Sequence, residues 1–197
     1  MRNSIQKSIL GLGLVGVFVA CTPQAEMASG FHKALTLNGV SFDVKSEESN
    51  SLGSVSITPS GLEENKRIKE EVDGRVLDAQ MADLNGDGSP ELYIFATSAG
   101  SGSMGSLIAY STNNKKSLTP IYLPEISEDK KYGKGYMGHD SFKIVGNRLT
   151  RSFPIYKKDD PNCCPSGGKR TVEYQLVAGE AGWLLKAVKS SEREESK

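Results

Sequence analysis

Val40-Ser41-Phe42-Asp43-Val44 decides the fold class. Apolar and polar residues alternate with a period of two, the spacing at which side chains leave opposite faces of an extended chain. A strand with one buried face follows. Val55-Ser56-Ile57 repeats the pattern, and apolar runs come at Leu92 to Ala96, Leu107 to Tyr110 and Ile121 to Leu123. Two hairpins are legible further on. Phe142 to Val145 and Leu149 to Phe153 flank Gly146-Asn147, and Val172 to Val177 and Trp183 to Val188 flank Gly179-Glu180-Ala181-Gly182. Both linkers are turn chemistry. Arg151-Ser152-Phe153-Pro154-Ile155-Tyr156 reads as an edge strand, because Pro cannot donate to a central ladder. Glu63 to Val76 is the segment most compatible with a helix, limited by Pro59-Ser60-Gly61 before it and Asp73-Gly74 within it. Many short strands without βαβ spacing predict an all-β chain, a single-domain antiparallel β-sandwich.

The first residues address the compartment. Arg2 and Lys7 form a short positive region, and Ile9 to Ala20 is an apolar run too short to span a bilayer, which needs roughly 20 residues. It suits a signal peptide. Phe18-Val19-Ala20-Cys21 then resembles a bacterial lipobox, with Phe18 where Leu is usual. Cleavage before Cys21 and acylation there would hold the chain on a membrane, each buried CH₂ contributing about 0.8 kcal/mol. The other reading is ordinary secretory cleavage near Ala20. Thr22 stands where an inner-membrane retention signal would place Asp, which favours the outer membrane on the periplasmic side. The expected division is a leader over 1–20, a lipidated tether over 21–30, a domain over 31–190 and a charged tail over 191–197.

The chain carries 24 basic and 24 acidic residues, and loss of 1–20 leaves 22 against 24, a formal −2. Such a balance gives no electrostatic footprint for nucleic acid. It is mildly suited to a basic partner. Besides Cys21 the cysteines are the adjacent Cys163 and Cys164. In an oxidising compartment they can form a strained vicinal disulfide, remain thiols or bond a second chain. Zinc is not indicated, since the two histidines, His32 and His139, lie elsewhere and adjacent cysteines lack chelating spacing.

Two motifs carry candidate chemistry. Asp83-Leu84-Asn85-Gly86-Asp87-Gly88-Ser89-Pro90-Glu91 has oxygen-bearing side chains at positions 1, 3 and 5 and Gly at 6, the front half of a calcium loop. Position 12 is Ile94 and no helix precedes, so this is not an EF-hand. Either Asp83, Asn85, Asp87 and Glu91 ligate calcium, or the stretch is an Asx-rich turn whose side chains bond their own backbone. Otherwise no cofactor is required. The second motif is Ser98-Ala99-Gly100-Ser101-Gly102-Ser103-Met104-Gly105-Ser106, between two apolar strands. It has neither the Lys of a phosphate loop nor the spacing of a nucleophile elbow. As a flexible hairpin loop it presents hydroxyls and N–H groups on a narrow tip that can enter a carboxylate-lined cleft. Tyr136-Met137-Gly138-His139-Asp140 holds a His next to an acid, and reads as a loop contact or plain exposure. No catalytic triad is recognisable, and the chain does not read as an enzyme.

Together, in this order, these motifs resemble a known family. To the two above are added Tyr122-Leu123-Pro124, Gly135 to Asp140, Phe153-Pro154-Ile155-Tyr156, Gly167-Gly168 and Tyr174 to Ala181. From about residue 33 to 188 the chain is similar to the periplasmic inhibitors of invertebrate-type (I-type) lysozyme. The resemblance implies an antiparallel β-sandwich, a homodimer and a Ser-Gly loop inserted into the lysozyme's active-site cleft. The matching inhibitory loop here is Ser101, Gly102, Ser103, Met104, Gly105 and Ser106. Met104 departs from the family, which carries Tyr at that position. Met fills an apolar subsite but has no phenolic donor. The alternative function is a calcium-dependent adhesion or envelope-assembly lipoprotein on the same scaffold.

Overall fold

The computed structural model describes residues 30–47 and 52–194. The leader, Cys21, the tether up to residue 29 and residues 195–197 lie outside the described residues. The chain is all-β, with two packed sheets and no α-helix among the described residues. One sheet holds β1 (Phe31–Leu37), β2 (Val40–Ser46), β3 (Leu52–Ser60) and β4 (Ile68–Asp73), in that order and all antiparallel. The second begins with β5 (Arg75–Ala82), β6 (Glu91–Thr97), β7 (Gly105–Ser111) and β8 (Thr119–Tyr122). It continues through β9 (Ser141–Val145), β10 (Arg148–Pro154), β11 (Lys169–Ala178) and β12 (Trp183–Arg193), arranged β5-β6-β7-β8-β12-β11-β10-β9. None of the described helices is long and apolar enough to cross a membrane.

The alternation at 40–44 becomes β2, with Val40, Phe42 and Val44 buried and Ser41 and Asp43 only partly so. Those inward residues meet Val55 and Ile57 of β3, Val72 of β4 and Leu92, Ile94 and Ala96 of β6 in one core. The other face of β6 carries Tyr93 and Phe95 into a second core with Leu149, Phe153, Val172, Tyr174 and Leu185. β6 is therefore buried on both sides, as a continuous apolar run must be. The eight-stranded sheet curls to bring β10 and β11 towards Tyr93. Ile126, in a 3₁₀ turn (Ile126–Glu128), and Tyr132 seal that second core. On the open side of the sandwich, Lys33 of β1 bonds Asp78 of β5 at 2.6 Å and ties the two sheets edge to edge.

Two expectations are corrected. Glu63 to Val76 is not helical: β4 occupies Ile68–Asp73, and β5 starts at Arg75. Charged residues there favour a helix by local propensity, but pairing with β3 overrides it, placing Val72 in the core and Glu70 where it accepts the Tyr110 hydroxyl. Gly74 makes the corner between sheets at φ 88°, where a Cβ would sit 2.1 Å from the Thr97 carbonyl oxygen. β10 is not an edge strand, since β9 and β11 flank it. Its Pro154 is tolerated because β9 pairing ends at Ser152, leaving only the β11 side at the proline. The expected all-β sandwich is present, and within it β8 and β12 run parallel over Trp183↔Ile121 and Leu184↔Tyr122. β12 extends through Arg193, into the stretch read as a charged tail.

Ile94→Ala should lower the free energy of unfolding by about 2–5 kcal/mol, because truncating a fully buried aliphatic leaves a cavity. Leu77→Ala, at the exposed bulge of β5, should change it by under about 0.5 kcal/mol. Urea denaturation of the two variants checks this, and comparable losses would contradict the double burial of β6.

Candidate functional site

The Ser-Gly motif forms the connection between β6 and β7, starting from the Thr97↔Gly105 pair. Its backbone is organised from within and from below. Ser98 N–H donates to the Met104 carbonyl at 2.9 Å, and Met104 N–H donates to Ser98 Oγ at 3.0 Å. Ser103 N–H donates to the Gly100 carbonyl at 2.9 Å, closing a turn in which Ser103 takes φ 42°. A second segment supports the tip: His139 N–H donates to the Gly102 carbonyl at 2.8 Å. Gly138 makes this approach feasible, because it has φ 96° and a Cβ there would lie 2.0 Å from that same oxygen. The loop's backbone is thus tied at several points, where the sequence suggested a flexible hairpin.

Beneath it lies a buried ion pair that sequence reasoning missed. Asp140 Oδ1 accepts Arg151 Nε at 2.6 Å, and the two side chains are 0% and 3% exposed. Asp140 Oδ2 accepts the Gly105 N–H and the Tyr136 hydroxyl, each at 2.7 Å. Arg151 Nη2 donates to the Tyr136 oxygen at 2.8 Å, with its guanidinium lying over the Tyr136 and Phe142 rings. Burial opposes the charge on Arg151, and the Asp140 carboxylate outweighs it, keeping the pKa above the ordinary value. Burial pushes the Tyr136 hydroxyl upward as well, so it stays a proton donor. His139 and Asp140 do not act together: His139 is exposed and offers only its backbone N–H, while the acid turns inward. The adjacency in sequence hid a separation in role.

What the loop leaves outward is chemistry for a partner. The Ser101 and Ser103 hydroxyls have no hydrogen bond among the described residues, and Ser101 and Ser106 are exposed. Met104 is 46% exposed, with its sulfur 3.4 Å from the Tyr136 hydroxyl. A hydroxyl donor, backbone groups and one flexible apolar side chain share the tip.

The acidic motif forms the β5–β6 turn, at the far end of β6. Asp83 accepts the N–H groups of Gly86, Asp87 and Gly88 at 2.8, 3.1 and 2.9 Å, and Asp87 accepts Ser89 N–H at 2.7 Å. This is Asx-turn bonding. It also gathers carboxylates, for an oxygen of each of Asp83, Asp87 and Glu91 lies within 4.8 Å of the others. Burial, with the nearby charges of Asp83 and Asp87, pushes the Glu91 carboxyl up to about 7. Cys163 and Cys164 are exposed, unbridged thiols on the loop before β11. They lie apart from both motifs.

Residues 36–129, 94 of the 197, match the family model described as periplasmic lysozyme inhibitor of I-type lysozyme. The resemblance carried by the motifs is borne out over that segment, which runs from β1 to the end of the 3₁₀ turn and contains both the loop and the acidic turn. The match supports a periplasmic lysozyme inhibitor. Tyr136, Asp140, Arg151 and strands β9 to β12 lie beyond it. No curated protein and no solved structure matches the chain.

Asp140→Asn should cost about 3–5 kcal/mol of stability, because it strands a buried guanidinium without its counter-charge. The same change should raise hydrogen exchange at the Gly105 amide. A variant as stable as the parent, with that amide still protected, would contradict the anchoring role.

Proposed function

We propose that this chain is an exported, lipid-anchored inhibitor of I-type lysozyme that closes the enzyme's active-site cleft with the loop from Ser101 to Ser106. The observation that carries this reading is the tip itself: a Ser101 hydroxyl without an internal partner, on a hairpin whose backbone is already held in place. The family match supports the target class.

The target's chemistry explains how such a tip inhibits. Glycoside hydrolases place two carboxyl groups across the scissile bond. The Ser101 hydroxyl donates to one of them, while Gly102 brings its N–H close with little bulk and Ser103, whose N–H closes the turn on Gly100, adds its hydroxyl. Met104 occupies a neighbouring apolar sugar subsite, its unbranched thioether adapting to the wall. It offers no phenolic hydrogen bond, and target preference shifts accordingly. Inhibition is by occupation of the cleft, so the chain turns nothing over and needs no cofactor for it. A homodimer belongs to the same reading and rests on the resemblance alone.

Anchoring follows from Cys21. Acylation there, with Thr22 after it, places the inhibitor on the periplasmic face of the outer membrane, beside the peptidoglycan it protects. The tether to residue 30 leads directly into β1.

A charge-assisted hydrogen bond to a cleft carboxylate contributes about 1.5–3 kcal/mol. Ser101→Ala should therefore weaken inhibition of I-type lysozyme roughly tenfold to a hundredfold. Chicken-type and goose-type enzymes, assayed alongside, should be inhibited far less. Inhibition of another class instead would keep the mechanism and change the target, whereas an unchanged inhibition constant for Ser101→Ala would remove the central residue. Cys21→Ser should move the protein from the membrane fraction to the soluble one. Retention in the membrane fraction would overturn the lipid anchor and leave the inhibitory reading intact.

A further inference from the structure

Inhibition by the loop makes no use of the acidic turn at the opposite end of β6. The two are separated by the length of that strand, about 20 Å at roughly 3.3 Å per residue. What stands out in the turn is Glu91. It is the first residue of β6, fully buried, and its Oε2 accepts Leu84 N–H at 2.8 Å and the Tyr93 hydroxyl at 3.3 Å. Its Oε1 is buried without any hydrogen-bond partner among the described residues. A carboxylate oxygen shut away from water and left unbonded is costly, and native structures rarely keep one without reason. Asp83 and Asp87 aggravate the cost, since among the described residues neither forms an ion pair and no Lys or Arg reaches any of the three acids. Three mutually repelling carboxylates, one with an idle buried oxygen, lack a positive charge.

We propose that the β5–β6 turn is a calcium site, with Asp83, Asp87 and Glu91 as its charged ligands and Asn85 adding a neutral oxygen. The donor set contains oxygen alone, without His or Cys, which selects a hard cation over zinc or copper. Calcium accepts six to eight oxygens in irregular geometry, and a short turn can supply part of that shell with water completing it. Magnesium demands near-ideal octahedral placement and holds its own water more tightly, so this turn favours the larger ion. The fold makes the ion structural. Glu91 belongs to the doubly buried strand, and Asp83 and Asp87 to the turn entering it, so a bound cation pins the turn to the centre of the molecule. Neighbouring turns share the effect, because Asn114 N–H donates to Ser89 Oγ at 3.0 Å and Asn38 Nδ2 reaches the Gly88 carbonyl at 3.4 Å.

The experiment uses the full chain in detergent, stripped with a chelator and then titrated with calcium chloride by calorimetry, with Tm measured in parallel. One calcium per chain is expected, with Tm rising by about 5–10 °C when free calcium exceeds its Kd a hundredfold. Magnesium at the same concentration should give a much smaller shift. Glu91→Gln and Asp87→Asn should each fold without calcium, as their own Tm values report, and should each lose most of the calcium-dependent rise. The absence of binding heat together with a shift under about 1 °C at millimolar calcium would overturn the proposal. So would a full calcium response in both variants. Neither result depends on lysozyme inhibition, which is read separately.

Discussion

The strand Glu91–Thr97 is the constraint on which the molecule depends. Both of its faces are buried, one against β2, β3 and β4 and the other against β10, β11 and β12. Neither core closes without it. An eight-stranded sheet could lie open and leave one face to water, but Tyr93 and Phe95 require a cover, and the curl of the sheet supplies it. The four-stranded sheet answers the same need for Leu92, Ile94 and Ala96. The ends of β6 inherit its rigidity. Both candidate functional turns, 83–90 and 98–104, are attached to those ends, one at each.

Residues that alternate or that make turns were readable without coordinates. Val40 to Val44, Val55 to Ile57 and the two C-terminal hairpins appear where their periodicity and glycine-bearing linkers placed them. The failures have a common origin in contacts made far along the chain. Nothing local in Lys69-Glu70-Glu71 announces a strand, because its partners are β3 and the Tyr110 hydroxyl 40 residues away. Pro154 looked like an edge marker, and only the shortness of β9 explains its place inside the sheet. Asp140 and Arg151 are separated by 11 residues, which no periodicity rule joins, and the His beside Asp140 drew attention away from the acid. One signal was present: Arg151 alternates with Leu149 and Phe153 on the inward face of its strand. A buried Arg needs an acid, and Asp140 is near in sequence.

The loop and its support show how polar groups are used in this fold. Asp140, Arg151 and Tyr136 make a network whose members are each satisfied, and its value lies in fixing the Gly105 amide and the approach of His139 to Gly102. At the other end of β6 the polar network is incomplete, with Glu91 Oε1 idle. A closed network gives rigidity from the chain's own atoms. An open one leaves that task to something else.

The contacts that hold the loop reach its backbone, at Gly102, Met104 and Gly105, and hardly involve its outward side chains. Residues 101 and 104 can therefore be exchanged while the path of the hairpin is preserved, whereas Ser103, at φ 42°, admits only residues that tolerate a left-handed backbone. Selection acting on such a surface meets little resistance from the fold: each substitution is judged almost entirely by what it touches on the partner. Met104, half exposed at the tip, is such a position, and the frame beneath it would accept other side chains.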